Sequence, residues 1–110
     1  MFITYEVAKQ LIREVAPLVP AIRRFDADLA KQITRAGSSI MLNLGEGSRR
    51  RGGDQRRFYE FPHGSAAEIR TALDCADCWG WSVDSAAARL TLDRLLALLW
   101  RLTHGKGQPA

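Results

Sequence analysis

Cysteine is scarce in this sequence: Cys75 and Cys78 are the only two among 110 residues. Two thiols three positions apart cannot supply the framework that staples small secreted domains, so a disulfide scaffold is excluded. Long apolar runs are missing too. The longest, Leu95–Trp100 and Ile40–Leu42, fall far short of the roughly 20 residues that cross a bilayer. Glu6 and Lys9 break up the first turns and no apolar stretch follows. No secretory leader and no membrane partner are expected, and a cytoplasmic location is. Nowhere does apolar–polar alternation last long enough for a strand. Internal repeats and low-complexity segments are absent. What is present is an ordinary apolar share, 46%, enough for a core and too much for a disordered chain. The length suits a single domain over 1–110, with a frayed tail at 104–110.

Charge is unevenly spread. Thirteen of the sixteen basic residues are Arg, and the net charge is +4. The nine residues Arg49 to Arg57, RRRGGDQRR, contain five Arg and one Asp, which already makes +4; the remaining chain has eleven bases and eleven acids. The basicity is therefore one patch, and a patch holds a polyanion better than scattered charges do.

Helical periodicity runs through the chain. Thr4 is a candidate N-cap for a first helix with Val7, Leu11, Val15, Leu18 and Ile22 on one face. Pro17 and Pro20 predict that it kinks or ends near Ala16, with a short second piece after it. Asp26 or Asp28 is placed to cap the next helix, whose stripe is Leu29, Ile33, Ala36, Ile40 and Leu44. After Gly52-Gly53 a third helix starts at Gly53 or Asp54. Its expected face is Phe58, Phe61, Ser65, Ile69, Ala72, Leu73, Ala76 and Trp79, and Gly80 is its stop. Ser82 or Asp84 caps a fourth helix with Ala88, Leu92, Leu95, Leu99 and Leu102 inward. Short connections make this an antiparallel up-and-down four-helix bundle, all-α.

In the second helix a polar stripe, Gln32, Arg35, Ser39, Asn43 and Glu46, lies beside the apolar one. Asn43 and Glu46 should be partly buried and paired, with Asn43 and Arg35 the expected partners of Glu46. The turn Ile40–Leu44 is apolar nearly all round, which calls for cover from another subunit. Phosphate binding is one reading of Arg49, Arg50, Arg51, Arg56 and Arg57, because Arg forks onto phosphate oxygens. A solvated basic loop and a subunit contact with an acidic face are the others. No aromatic interrupts the Arg run, and only Phe58 and Tyr59 follow it, which favours backbone contacts without base readout. The other groups read as structural. Cys75 and Cys78 lack further metal ligands and a preceding strand. Glu46 and Glu68 have no nucleophile or metal partner. His63 and His104 stand alone, and Ser38, Ser39 and Ser48 have no elbow motif. Gly45-Glu46-Gly47-Ser48 lacks the Lys of a phosphate loop. Trp79, Trp81 and Trp100 are expected as core and interface anchors. No catalytic group, metal or cofactor is expected.

The run from Leu29 through Gln32, Arg35, Ala36, Ser39, Ile40 and Asn43 to Gly45-Glu46-Gly47-Ser48 resembles the signature of the 23S rRNA intervening-sequence proteins. Arg57-Phe58, Gly64-Ser65, Glu68 and Leu73 follow at the family's spacing, and the likeness spans about Val7 to Leu102. It implies an antiparallel four-helix bundle, a homopentameric ring and no enzymatic activity. It also implies a relation to the accessory proteins of diversity-generating retroelements, which bind nucleic acid and a reverse transcriptase. The function expected is a non-enzymatic oligomeric module that binds RNA or DNA; the alternative is a scaffold whose patch docks an acidic, nucleic-acid-processing protein. Three departures stand out. Gly45 replaces the family's usual Ala and suggests a close helix approach. Pro62-His63 predicts a kink or a delayed start in the third helix. Pro17 and Pro20 are also atypical.

Overall fold

A computed structural model of the chain describes residues 2–104, which form five α-helices and, among the described residues, no strand. These are α1 (Ile3–Val15), α2 (Leu18–Arg23), α3 (Ala27–Gly47), α4 (Gly52–Trp79) and α5 (Ala86–His104). The expected first helix is present as two pieces, α1 and α2, so four arms contain five helices. Pro17 causes the break, having no N–H to donate and a ring that clashes with the carbonyl four residues back, while Ala16 before it keeps helical backbone angles. The Ala16 N–H closes α1 on the Ile12 carbonyl at 2.8 Å, and helix resumes at Leu18. Pro20 is tolerated because it stands in the first turn of α2, where an amide has no intrahelical acceptor anyway.

The helix ends follow local chemistry, with two corrections. Thr4 is not a cap. Phe2 occupies that position without a side-chain bond, and Thr4 is buried on the face that carries Val7 and Leu11. α4 begins at Gly52, one residue earlier than the expected start, on a left-handed φ of 60°. Elsewhere expectation holds. Asp26 caps α3, its Oδ1 accepting the Leu29 N–H at 3.0 Å. Gly80, at φ 76°, ends α4, and the Trp81 N–H reaches back to the Ala76 carbonyl at 3.1 Å. A non-glycine residue would be strained there. Asp84 Oδ1 accepts the Ala86 N–H at 3.3 Å where α5 starts.

α3 packs on α4, α4 on α5, α5 on α1, and α1 with α2 on α3, closing a ring of four arms around one core. Leu11, Ile33, Leu44, Ile69, Leu92 and Leu99 meet there. The stripes expected for α3 and α5 are the buried ones, with Leu29 and Leu102 half-buried at their ends. The face of α4 is corrected in its first half. Tyr59, Pro62 and Ala66 are buried, while Phe58 is half-buried and Phe61 exposed. Both sets keep the three–four spacing and both run on into Ile69, so packing against the other arms, not periodicity, selects the second. Pro62 neither delays nor ends α4; it sits on the core side of a continuous helix. The molecule measures 43 × 21 × 21 Å, the long axis matching the roughly 42 Å of a helix as long as α4. Among the described residues no helix is long and apolar enough to cross a membrane. His104 closes α5, so helix covers the first residue of the expected tail; the rest of that tail lies outside the described residues.

Candidate nucleic-acid interface

The Arg-rich segment is the turn from α3 into α4, and backbone and side chains both tie it down. The Arg49 and Arg50 N–H groups donate to the Glu46 and Gly47 carbonyls at 3.1 and 3.0 Å. Gln55 Nε2 then donates to the Gly47 and Arg50 carbonyls at 3.1 and 2.9 Å, giving the first a second donor and tying the start of α4 to the end of α3. Beneath the turn, Gly47 lies against the Tyr59 ring: a Cβ added there would stand 2.6 Å from Tyr59 Cε1. Phe2 meets the same ring at 6.0 Å. The Tyr59 hydroxyl is buried without a hydrogen-bond partner, and burial pushes its pKa up.

Carboxylates thread the Arg cluster. Glu46 accepts from Arg49 at 2.7 Å and from Arg50 at 3.0 Å. Asp54 accepts from Arg50 at 2.9 Å and from Arg57 at 3.1 Å. Hydrogen bonds from Arg49, then Arg50, hold the Glu46 carboxyl below its ordinary pKa, and bonds to Asp54 and Glu46 raise that of Arg50. All these groups are solvent-facing, so salt screens them and each pair contributes little. Arg51 and Arg56 are exposed and make no ion pair among the described residues. With Glu46 drawn in, five Arg against two carboxylates leave the cluster at +3, one less than residues 49–57 carry alone. The Arg50 guanidinium also lies 4.8 Å over the Phe58 ring, which meets Phe61 edge-on at 6.0 Å.

The polar stripe of α3 splits. Asn43 is half-buried and paired as expected, donating to the Ser39 carbonyl at 2.9 Å and the Ser39 Oγ at 3.0 Å. Glu46 does not pair with Asn43 or Arg35. Arg35 is eleven residues back, about 16 Å along the helix, and Asn43 is already engaged with Ser39. Gln32 and Arg35 are exposed. Ser48 Oγ donates to the Gly45 carbonyl at 2.8 Å. Gly45 makes no close approach: a Cβ there would meet nothing within 4 Å, and the same is true of Gly64. The crowded glycines are Gly47 and Gly37, the latter 2.9 Å from Ile12 Cδ1 by the same measure. Glu68 is exposed rather than set beside the core, because the core face of α4 lies elsewhere; Ser65 is half-buried.

Other candidates stand apart from this turn. Cys75 and Cys78 are free and exposed. Asp74 and Asp77 beside them accept from Arg89 at 2.8 and 2.7 Å, joining α4 to α5. No tryptophan is a core residue. Trp79 and Trp100 are 71% and 53% exposed, and Trp81 packs only partly against the core. Among the described residues no three His, Cys, Asp or Glu side chains converge where a metal could sit. A cavity of about 250 Å³ lies where α1 gives way to α2, lined by Leu11, Val15, Val19, Ile33 and Gly37 among others. It is apolar and lies between arms, away from the Arg turn. Sequence reasoning missed Gln55. Its signal was position alone: an amide one turn into α4 can reach back to the carbonyls that close α3.

By its fold the chain is a small all-α bundle whose charged side chains converge at a turn between two helices. It belongs to the 23S rRNA-intervening sequence protein family, whose model matches residues 2–93, a span that includes the whole Arg cluster and the α3 stripe. That family is not a known enzyme family. A search of curated proteins finds no match to the chain.

Proposed function

We propose that the chain is a non-enzymatic module that binds the sugar–phosphate backbone of RNA or DNA through Arg49, Arg50, Arg51, Arg56 and Arg57. One observation carries this reading: a chain of net charge +4 gathers five Arg on a single exposed turn. Arg51 and Arg56 meet phosphates directly. Arg49, Arg50 and Arg57 exchange a carboxylate for a phosphate at little cost, because solvent-exposed ion pairs are worth about 0–1 kcal/mol. Self-association multiplies the patch by the number of subunits. Its support is Leu42, 73% exposed on the apolar turn of α3. A homopentameric ring, which the family resemblance implies, would give that side chain cover. An acidic, nucleic-acid-processing protein docked on the same Arg turn is the second reading, supported by exposed Phe61 beside the cluster.

The test is titration of labelled oligonucleotides at several salt concentrations. Affinity for every sequence should fall with a log–log slope of about −0.7 to −0.9 per phosphate contacted. Changing Arg49, Arg50 and Arg51 together to Gln should weaken binding to all sequences alike and flatten the slope. Stability should change by less than about 0.5 kcal/mol. Salt-independent binding, or a triple variant that binds like the parent, moves the assignment to the protein-docking reading.

A further inference from the structure

The end of the bundle away from the Arg turn carries a different kind of surface. Phe25, in the α2–α3 turn, stacks on Trp81 at 5.1 Å between ring centroids with planes 7° apart. Trp81, in the α4–α5 turn, stands 6.4 Å from Trp79 with planes 10° apart. The three rings make a ladder with Trp81 as its middle rung. Trp81 packs partly against the core and is flanked by the left-handed residues Gly80 and Ser82, with φ 76° and 52°. The outer rungs are open: Phe25 is 57% and Trp79 71% exposed. A contiguous set of large rings facing water marks a surface that another molecule covers.

Charge decides what covers it. Arg23, Arg24 and Arg89 stand at this end against Asp26, Asp28, Asp77 and Asp84, with Asp74 drawn in by its 2.8 Å bond to Arg89. Five carboxylates against three guanidinium groups leave the end at −2. Asp28 and Asp84 are exposed and make no ion pair among the described residues. Such a surface repels anions and draws cations, and the rings add to the preference, because an aromatic face attracts a guanidinium. The chain itself carries a surface that fits. Its Arg turn, at the opposite end, stands at +3. That turn already makes the contact in question, Arg50 lying 4.8 Å over the Phe58 ring. Arg51 and Arg56 are exposed there without a carboxylate partner among the described residues. We infer that the ladder end of one copy docks the Arg turn of a second copy, guanidinium groups resting on the exposed rings with the Asp side chains around them. Opposite ends of a molecule 43 Å long cannot meet within one copy, so the contact runs head to tail and continues from copy to copy. It is weak: an end 21 × 21 Å across buries at most about 900 Å² over both copies, below the roughly 1,200 Å² at which stable interfaces begin. The docking uses the charge of the Arg turn and does not rest on the nucleic-acid reading. Where that reading holds, nucleic acid and the next copy compete for one turn, so each weakens the other's binding.

The experiment follows the mass of the full chain by sedimentation against protein concentration, at low and at high salt. At about 0.01 M salt, where charges act over about 30 Å, the parent should form species that grow with concentration. At about 1 M, where they act over about 3 Å, these should fall back to one constant mass. Two variants each spoil one end. Trp79→Ala removes an outer rung, and Arg49, Arg50 and Arg51 changed together to Gln spoil the Arg turn. Either alone should weaken the low-salt association roughly tenfold and keep the high-salt mass. Mixed, the two should pair with each other as tightly as two parent copies do, because the mixture holds one intact Arg turn and one intact ladder. Growth that survives in either variant, or a mixture that associates no more than its parts, overturns the inference. So does a parent that binds an Arg-rich peptide at the ladder yet shows no growth, which makes a foreign basic protein the occupant. If the mixture pairs and a labelled oligonucleotide leaves the pair intact, the docking stands and the nucleic-acid reading of the Arg turn fails. If oligonucleotides bind Trp79→Ala and the mixture never pairs, the docking fails and the nucleic-acid reading stands.

Discussion

The two ends of α4 solve the same problem, how to shape an exposed turn, in opposite ways. At the Arg end the groups on show are flexible, and order comes from below: Gln55 ties two carbonyls, and Tyr59 wedges against Gly47. At the ladder end the groups on show are themselves rigid. The planes of Phe25 and Trp79 each lie within 10° of Trp81, which is half-buried and flanked by backbone in the left-handed region. The first end can trade one anion for another without changing shape. The second presents a fixed surface. A charged surface built on a rigid floor tolerates substitution of its charges; a stacked surface does not tolerate loss of a rung.

Substitutions that strike the floor and the pins separately sharpen this contrast. The largest effect is expected from Gly47→Ala, which pushes a methyl into the buried Tyr59 ring. Overpacking of that kind should cost about 1–3 kcal/mol in denaturant unfolding. A neutral result would mean that the ring is free to move and that the Arg turn has no rigid floor. Gly80→Ala attacks the other end by forcing an alanine to a left-handed φ of 76°, and should cost about 1–2 kcal/mol. Tyr59→Phe acts in the opposite direction. It removes a buried hydroxyl with no partner, so stability should rise by about 1 kcal/mol. It should also change the alkaline limb. Because burial raises the folded-state pKa of Tyr59, the neutral phenol supports the fold fully below the ordinary value near about 10. That support is lost as pH climbs through the raised value. In the Phe variant this part of the decline should vanish from thermal melts taken across that range. The smallest effect is at Gly45, where a helix-interior glycine faces open space. Gly45→Ala should stabilise by about 0.5–1 kcal/mol; destabilisation would show that another subunit's atoms fill that space.

Much of this architecture could be read from residue order, for identifiable reasons. Asp26, Pro17 and Gly80 act on their own backbone neighbours, so the helix limits they set need no tertiary knowledge. The stripes of α3 and α5 were legible because one phase of the periodicity clearly outweighs the others. In α4 two phases compete near residue 60, and tertiary fit chose Tyr59 and Pro62 over the more apolar Phe58 and Phe61. The ion pairs at the Arg turn obey three- and four-residue spacing and were within reach of sequence reasoning, which stopped at the boundary of the Arg run and left Glu46 outside it. The stacking was not legible: the up-and-down order puts the α2–α3 and α4–α5 turns at one end of the bundle, but nothing local to Phe25 or Trp81 says that their rings meet there.

The break at Pro17 also determines the order in which the molecule opens. α2 is six residues long, too short to persist in isolation, and its start rests on one long bond, Val19 N–H to Ala16 O at 3.3 Å. Ile22 is its one buried side chain. The amides of α2 therefore exchange with solvent by a small local detachment from α3, whereas those around Ile40, Ile69 and Leu95 exchange only when the whole bundle unfolds. Protection from hydrogen exchange steps down at Pro17, which divides one arm of the bundle into a late-opening half and an early-opening one.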